Sequence, residues 1–107
     1  MRAYGAADAL ADALSDRSYR VRREAAMSLA WCGGRAEIPA LLAALDDEDW
    51  VVRQGAWVAF SNLTGMEGAY DALAAWETRR AQSRRWRAWW SGVPDDRPHL
   101  HRAGRLL

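Results

Sequence analysis

Ile38-Pro39-Ala40-Leu41-Leu42-Ala43-Ala44-Leu45-Asp46-Asp47-Glu48-Asp49-Trp50-Val51-Val52-Arg53 reads as one helix, a break, and the start of a second helix. Ile38, Leu41, Leu42 and Leu45 recur at the 3-4-3 spacing of one helical face, which predicts a helix over Glu37 to Leu45. Pro39 falls in its first turn, where the missing N–H removes no hydrogen bond. Asp46-Asp47-Glu48 ends this helix, and Asp49 is a good N-cap for the next. Acids crowded at a helix start complement its dipole, so turn chemistry explains them better than acid–base catalysis does. Val52, Ala56, Ala59, Phe60 and Leu63 then form a single apolar stripe.

The same pattern occurs earlier in the chain, at an offset of 31 residues (Ala9 to Ala40). Ala9-Leu10 falls on Ala40-Leu41, Ala13-Leu14 on Ala44-Leu45, and Asp16 on Asp47. Val21-Arg22 falls on Val52-Arg53, Ala25 on Ala56, and Gly34 on Gly65, while Tyr19, Leu29 and Cys32 have Trp50, Phe60 and Leu63 as similar partners. Ser18 takes the N-cap place of Asp49, and the equivalent stripe is Val21, Ala25, Ser28, Leu29 and Cys32. Gly33-Gly34 and Gly65 read as helix stops that tolerate a left-handed conformation. Neither pair of helices buries its stripe alone, so the pairs must stack.

These two segments, over roughly residues 6–65, resemble HEAT-like repeats of the short kind found in phycobilisome lyases. Ile38 to Leu45, Asp47-Glu48-Asp49, Val52-Arg53 and Ala56 carry the resemblance; the first copy departs from it with Ala7-Asp8 in place of Ile38-Pro39. Leu63-Thr64-Gly65, a loop with Tyr70-Asp71, and a helix ending Arg85-Trp86-Arg87-Ala88-Trp89-Trp90 look like the terminal cap of bacterial HEAT-repeat proteins. The resemblance implies an all-α fold: a short right-handed α-solenoid of two HEAT-like helical hairpins plus a C-terminal capping helix. The expected organisation is one domain over 1–92, with repeats at about 6–34 and 37–65, a cap helix at about 76–91, and a poorly ordered tail over 93–107.

Bulk composition narrows the function. A chain of 107 residues holds one domain at most and buries roughly two-thirds of its unfolded surface. Its net charge of +1 argues against a generally polyanionic partner. Residues 1–65 carry seven Arg against nine acids (−2), and residues 66–107 carry eight against five (+3). The single cysteine, Cys32, excludes an intramolecular disulfide and fits a reducing compartment. No signal-peptide pattern opens the chain and no apolar run is long enough to cross a bilayer, so the expected location is cytoplasmic.

Catalysis lacks its parts. Cys32 occupies a core position, His99 and His101 are a weak metal signal in the expected tail, and no glycine-rich phosphate loop is present. No enzyme activity, cofactor or metal is expected. Arg22 and Arg53 with Asp16 and Asp47 recur once per repeat, which suggests an inter-repeat ladder rather than a unique site.

Two surfaces remain. In HEAT-like arrays the second helix of each repeat lines the concave face; here that face should show Arg20, Glu24, Met27 and Trp31, then Val51, Gly55, Val58 and Asn62. Met27, Val58, Trp31 and Trp57 would form a small apolar strip that binds a partner protein, unless the cap helix or the tail folds over it. On the last helix, Trp86, Trp89 and Trp90 share a face, either as a plug for the open end of the stack or as a binding platform. Arg80, Arg84 and Arg87 share another, expected opposite the tryptophans, and are the nucleic-acid alternative; the rival reading is a solvated outer face.

The expectation is a protein–protein interaction module using Arg20, Glu24, Met27, Trp31, Val51, Trp57 and Val58. Homodimerisation is a further expectation, through an end thinly covered by an abbreviated first helix, Ala6 to Leu14. Help to a chromophore, by analogy with bilin lyases, rests on fold resemblance alone.

Overall fold

The computed structural model describes residues 3–94. Five α-helices follow one another: α1 (Ala3–Ala13), α2 (Tyr19–Cys32), α3 (Ile38–Ala44), α4 (Trp50–Thr64) and α5 (Trp76–Ser91). A single 3₁₀ turn, Arg35–Glu37, leads into α3, and no strand occurs among the described residues. The pairs α1–α2 and α3–α4 are the two helical hairpins, and the most extensive helix contact is between α2 and α4. The expected tail, from residue 95 on, and with it His99 and His101, lies outside the described residues.

Helix starts follow the expected chemistry. The Ser18 side chain accepts from the Val21 N–H, and that of Asp49 accepts from the Val52 N–H at 3.0 Å. Each such cap is worth about 1 kcal/mol relative to alanine. The stops differ from expectation in one case. Gly65 is left-handed with φ 73°, whereas Gly33 has φ −74°. Gly33 is needed for space instead: a Cβ there would lie 2.7 Å from the Leu29 carbonyl oxygen and 3.1 Å from a Leu63 methyl. Helix α1 begins three residues earlier than expected, at Ala3.

The core is one layer of side chains between the hairpins. Leu29, Ile38, Leu41, Leu45, Val52, Ala56, Ala59 and Phe60 are fully buried in it. Gly55 brings α4 onto α2: its missing Cβ would meet that of Ala26 at 3.0 Å. A glycine inside a helix costs about 1 kcal/mol against alanine, which the close helix contact offsets. Val21 is a correction to the expected stripe. It is exposed, because no helix covers the side of α2 that corresponds to the α2-facing side of α4.

The expected ladder is present as one rung and a substitute. Arg22 donates to the carbonyls of Asp16 (2.8 Å) and Arg17 (3.1 Å), closing its own loop. Its Nε lies 3.0 Å from Asp47 of the next hairpin, an ion pair off the N–H axis. Arg53 closes the Asp47 and Glu48 carbonyls in the same way (2.8 and 3.1 Å). The repeat offset would put its acid partner at position 78, which is Thr78; the Ala72 carbonyl takes that place, at 2.7 Å from Nη2.

Candidate functional site

The exposed flanks of α2 and α4 enclose a groove of about 440 Å³ lined by Met27, Ala30, Trp31, Trp50, Val51, Gln54, Gly55, Val58 and Asn62. Gly55 forms part of its floor, because the two helices touch there and their larger side chains diverge on either side. Trp31 is 85% exposed and Met27 59% exposed, and Trp50 and Val58 are exposed as well. None of the nine lining residues carries a charge, in a chain that is 27% charged. Ordinary solvated helix faces are charged, so an uncharged face left open to water stands apart from the remaining surface.

Of the residues expected to bind a partner, Met27, Trp31, Val51 and Val58 come together in this groove. Arg20 and Glu24 line an adjoining furrow with Arg23 and Ser28, and Met27 and Trp31 are the ridge common to both. Trp57 does not belong to it. Its ring faces the other flank of α4, at 5.7 Å from Phe60, 5.5 Å from Tyr70 and 5.2 Å from Trp86. Position 57 follows Phe60 into the core side of α4, and a ring of that size is drawn to other rings. Trp50 lines the groove unforeseen. As the counterpart of Tyr19 it read as repeat scaffolding, although its position one residue before Val51 carried the signal.

The tryptophans of α5 close the flank opposite the groove. Trp86 and Trp89 stand edge-on to Phe60 at 5.5 and 6.0 Å, and the Trp86 Nε1–H donates to the Ala69 carbonyl at 3.0 Å. Tyr70 donates its hydroxyl to the Leu45 carbonyl, and burial pushes its pKa up to about 12. The Tyr70 hydroxyl and the Trp86 indole N–H therefore both find backbone partners while the rings cover Phe60.

The arginine face expected opposite these tryptophans is not a free basic surface. Arg87 pairs with Asp46 and donates to the Leu42 carbonyl at 3.2 Å. Arg80 approaches the same carboxylate at 4.0 Å, and the buried Ser83 hydroxyl donates to it at 2.9 Å. Arg84 alone of the three points to solvent without joining them. Asp46 thus draws two of the three cations towards α3.

At the α2–α4 junction, Arg23 grips the α4 cap. Its Nε and Nη2 donate to the two Asp49 carboxylate oxygens at 2.9 and 2.8 Å. That bond, with the Val52 N–H, holds the Asp49 carboxyl at about 2. Cys32 is partly buried and lies 3.5 Å from the Ser28 carbonyl oxygen, within reach of a weak S–H hydrogen bond. Among the described residues there is no cluster of three metal-capable side chains, and no helix is long and apolar enough to cross a membrane.

Residues 5–91 match the family model of HEAT repeats. No curated protein and no solved structure matches the chain.

Proposed function

The chain belongs to the HEAT-repeat family, and from that premise we propose that it is a protein-interaction module whose partner docks in the groove between α2 and α4. Such repeats commonly serve as interaction scaffolds, and the observation that carries the finer reading is the uncharged, open lining around Trp31 and Trp50. Large aromatic side chains that are free of polar neighbours supply most of the affinity in protein interfaces, and Met27 and Val58 add adaptable apolar area. Arg20 and Glu24 then serve as a polar rim that orients the partner rather than anchoring it.

A photoreactive phenylalanine analogue at position 27 tests this in the cells that make the protein. Crosslinks are expected on one partner and are lost in Val58→Asp, whose melting curve stays within a few degrees of wild type. A crosslinked partner that Val58→Asp still captures in full would move the interface elsewhere.

A further inference from the structure

The groove between α2 and α4 carries both a projecting ring and a place for one. Its floor at Gly55 has no side chain, while Trp31 on its α2 rim is 85% exposed. At that exposure the Trp31 ring does not lie down in its own groove, where it would be covered. The groove, at about 440 Å³, falls within the roughly 300–1,000 Å³ of pockets that take small organic molecules, so it has room for an indole.

A surface with a knob beside a hole is complementary to a copy of itself. In a twofold pair the same patch stands on both sides, and a ring from each chain can enter the groove of the other. The twofold also brings residues near the axis against their own kind, so a charge there would meet a like charge. The nine lining residues carry none, and a net charge of +1 leaves two chains little to repel them at a distance.

The open area is sufficient for such a pair. A tryptophan side chain contributes up to roughly 250 Å², so Trp31 and Trp50, at 85% and 49% exposure, offer about 300 Å². Met27 and Val58, at 59% and 40%, raise the open apolar patch to on the order of 500 Å². Two such patches face to face bury on the order of 1,000 Å², the lower limit of specific protein interfaces.

Taking the groove as the docking surface proposed above, and resting on that reading, we propose that its occupant is a second copy of this chain. Trp31 of each copy sits over the other's Gly55, between Val51 and Val58. An interface of this size is weak, so the chain is a monomer when dilute and pairs as its concentration rises.

Sedimentation equilibrium of the full chain from about 5 to 500 µM, a range that spans weak association, tests this. The apparent mass is expected to rise from 12.0 kDa towards twice that value. Trp31→Ala and Val58→Asp should both stay at the monomer mass with unchanged circular dichroism. Arg84→Ala, at an exposed position of α5, should associate as wild type does. A photoreactive residue at position 27 of the purified chain adds a reading that needs no disruptive variant: the crosslinks in its dimer should map to residues 27–31 or 50–62 of the second copy. A monomer mass held up to about 500 µM would overturn the proposal. So would a dimer that both variants leave intact, or one whose crosslinks map elsewhere. If the chain stays monomeric while position 27 captures a different protein in cells, and Val58→Asp abolishes that capture, the groove reading stands and only the second copy falls. If neither is seen, both fall.

Discussion

Val52 at the start of α4 has no exposed surface, whereas Val21, its counterpart in α2, is 40% exposed. The same shift runs along the two helices. Gly55, which lets α4 touch α2, corresponds to the exposed Glu24; the fully buried Ala59 corresponds to Ser28; and Asn62 corresponds to the protruding Trp31. Helix α4 is covered on one flank by α2 and on the other by the rings of α5, while the outer flank of α2 meets water. Side-chain size and polarity have followed: small residues where a helix packs, and Glu or Ser where none does. A helix could not approach Glu24 as closely as α2 approaches Gly55. Met27, Trp31 and Val58 break this rule, being large, apolar and open, and that is what separates the groove from ordinary repeat surface.

The sharpest way to break the comparison is to remove one tryptophan from each side. Trp86→Ala deletes the ring against Phe60, Trp57 and Trp89, and is expected to cost about 3–5 kcal/mol in urea unfolding. Trp31→Ala, at an exposed position, is expected to stay within about 0.5 kcal/mol of wild type. Similar losses in both would mean that the groove is structural and that the two flanks of α4 do not differ in kind.

The second test exchanges the paired positions. Gly55→Glu places a side chain where even a Cβ meets Ala26 at 3.0 Å, and overpacking of this sort costs about 1–3 kcal/mol. Glu24→Gly introduces only the helix penalty of glycine, about 0.5–1 kcal/mol. If Gly55→Glu melted like wild type, the close contact between α2 and α4 would not be what holds the hairpins together.

Most of the fold was legible because it rests on period and repetition. The 31-residue offset, the N-caps Ser18 and Asp49, and the stripe from Val52 to Leu63 are local patterns, and tertiary packing did not override them. What escaped was orientation around a helix where two faces are both apolar. Trp57 and Val58 are adjacent in sequence, yet one ring enters the aromatic cluster and the other side chain enters the groove. Periodicity in α4 alone could not separate them, since the rings that attract Trp57 come from Tyr70 and Trp86. The pairing of Arg80 and Arg87 with Asp46 escaped for the same reason: their shared face follows from spacing, but the carboxylate they approach lies some forty residues earlier in the chain.

The caps of the two second helices supply the finest contrast, because Ser18 does not titrate in the acid range and Asp49 does. The Asp49 carboxylate accepts from Arg23 twice and from the Val52 N–H, and these bonds hold it at about 2, below the ordinary aspartate value near 3.9. A carboxyl lowered on folding stabilises the native state fully above its unfolded value and loses that contribution as pH falls towards its folded value. The Asp49 contribution should therefore be complete above about pH 4 and fade between about 4 and 2. Asparagine keeps the capping oxygen at nearly equal strength but carries no charge for Arg23. Asp49→Asn should thus cost little at neutral pH, on the order of 1 kcal/mol or less for a partly exposed pair. The gap between the two stability profiles should close as acid is added. A gap that stayed constant from pH 5 to 2 would mean that the Arg23 bond contributes nothing, and that α4 is started by its cap alone, as α2 is by Ser18.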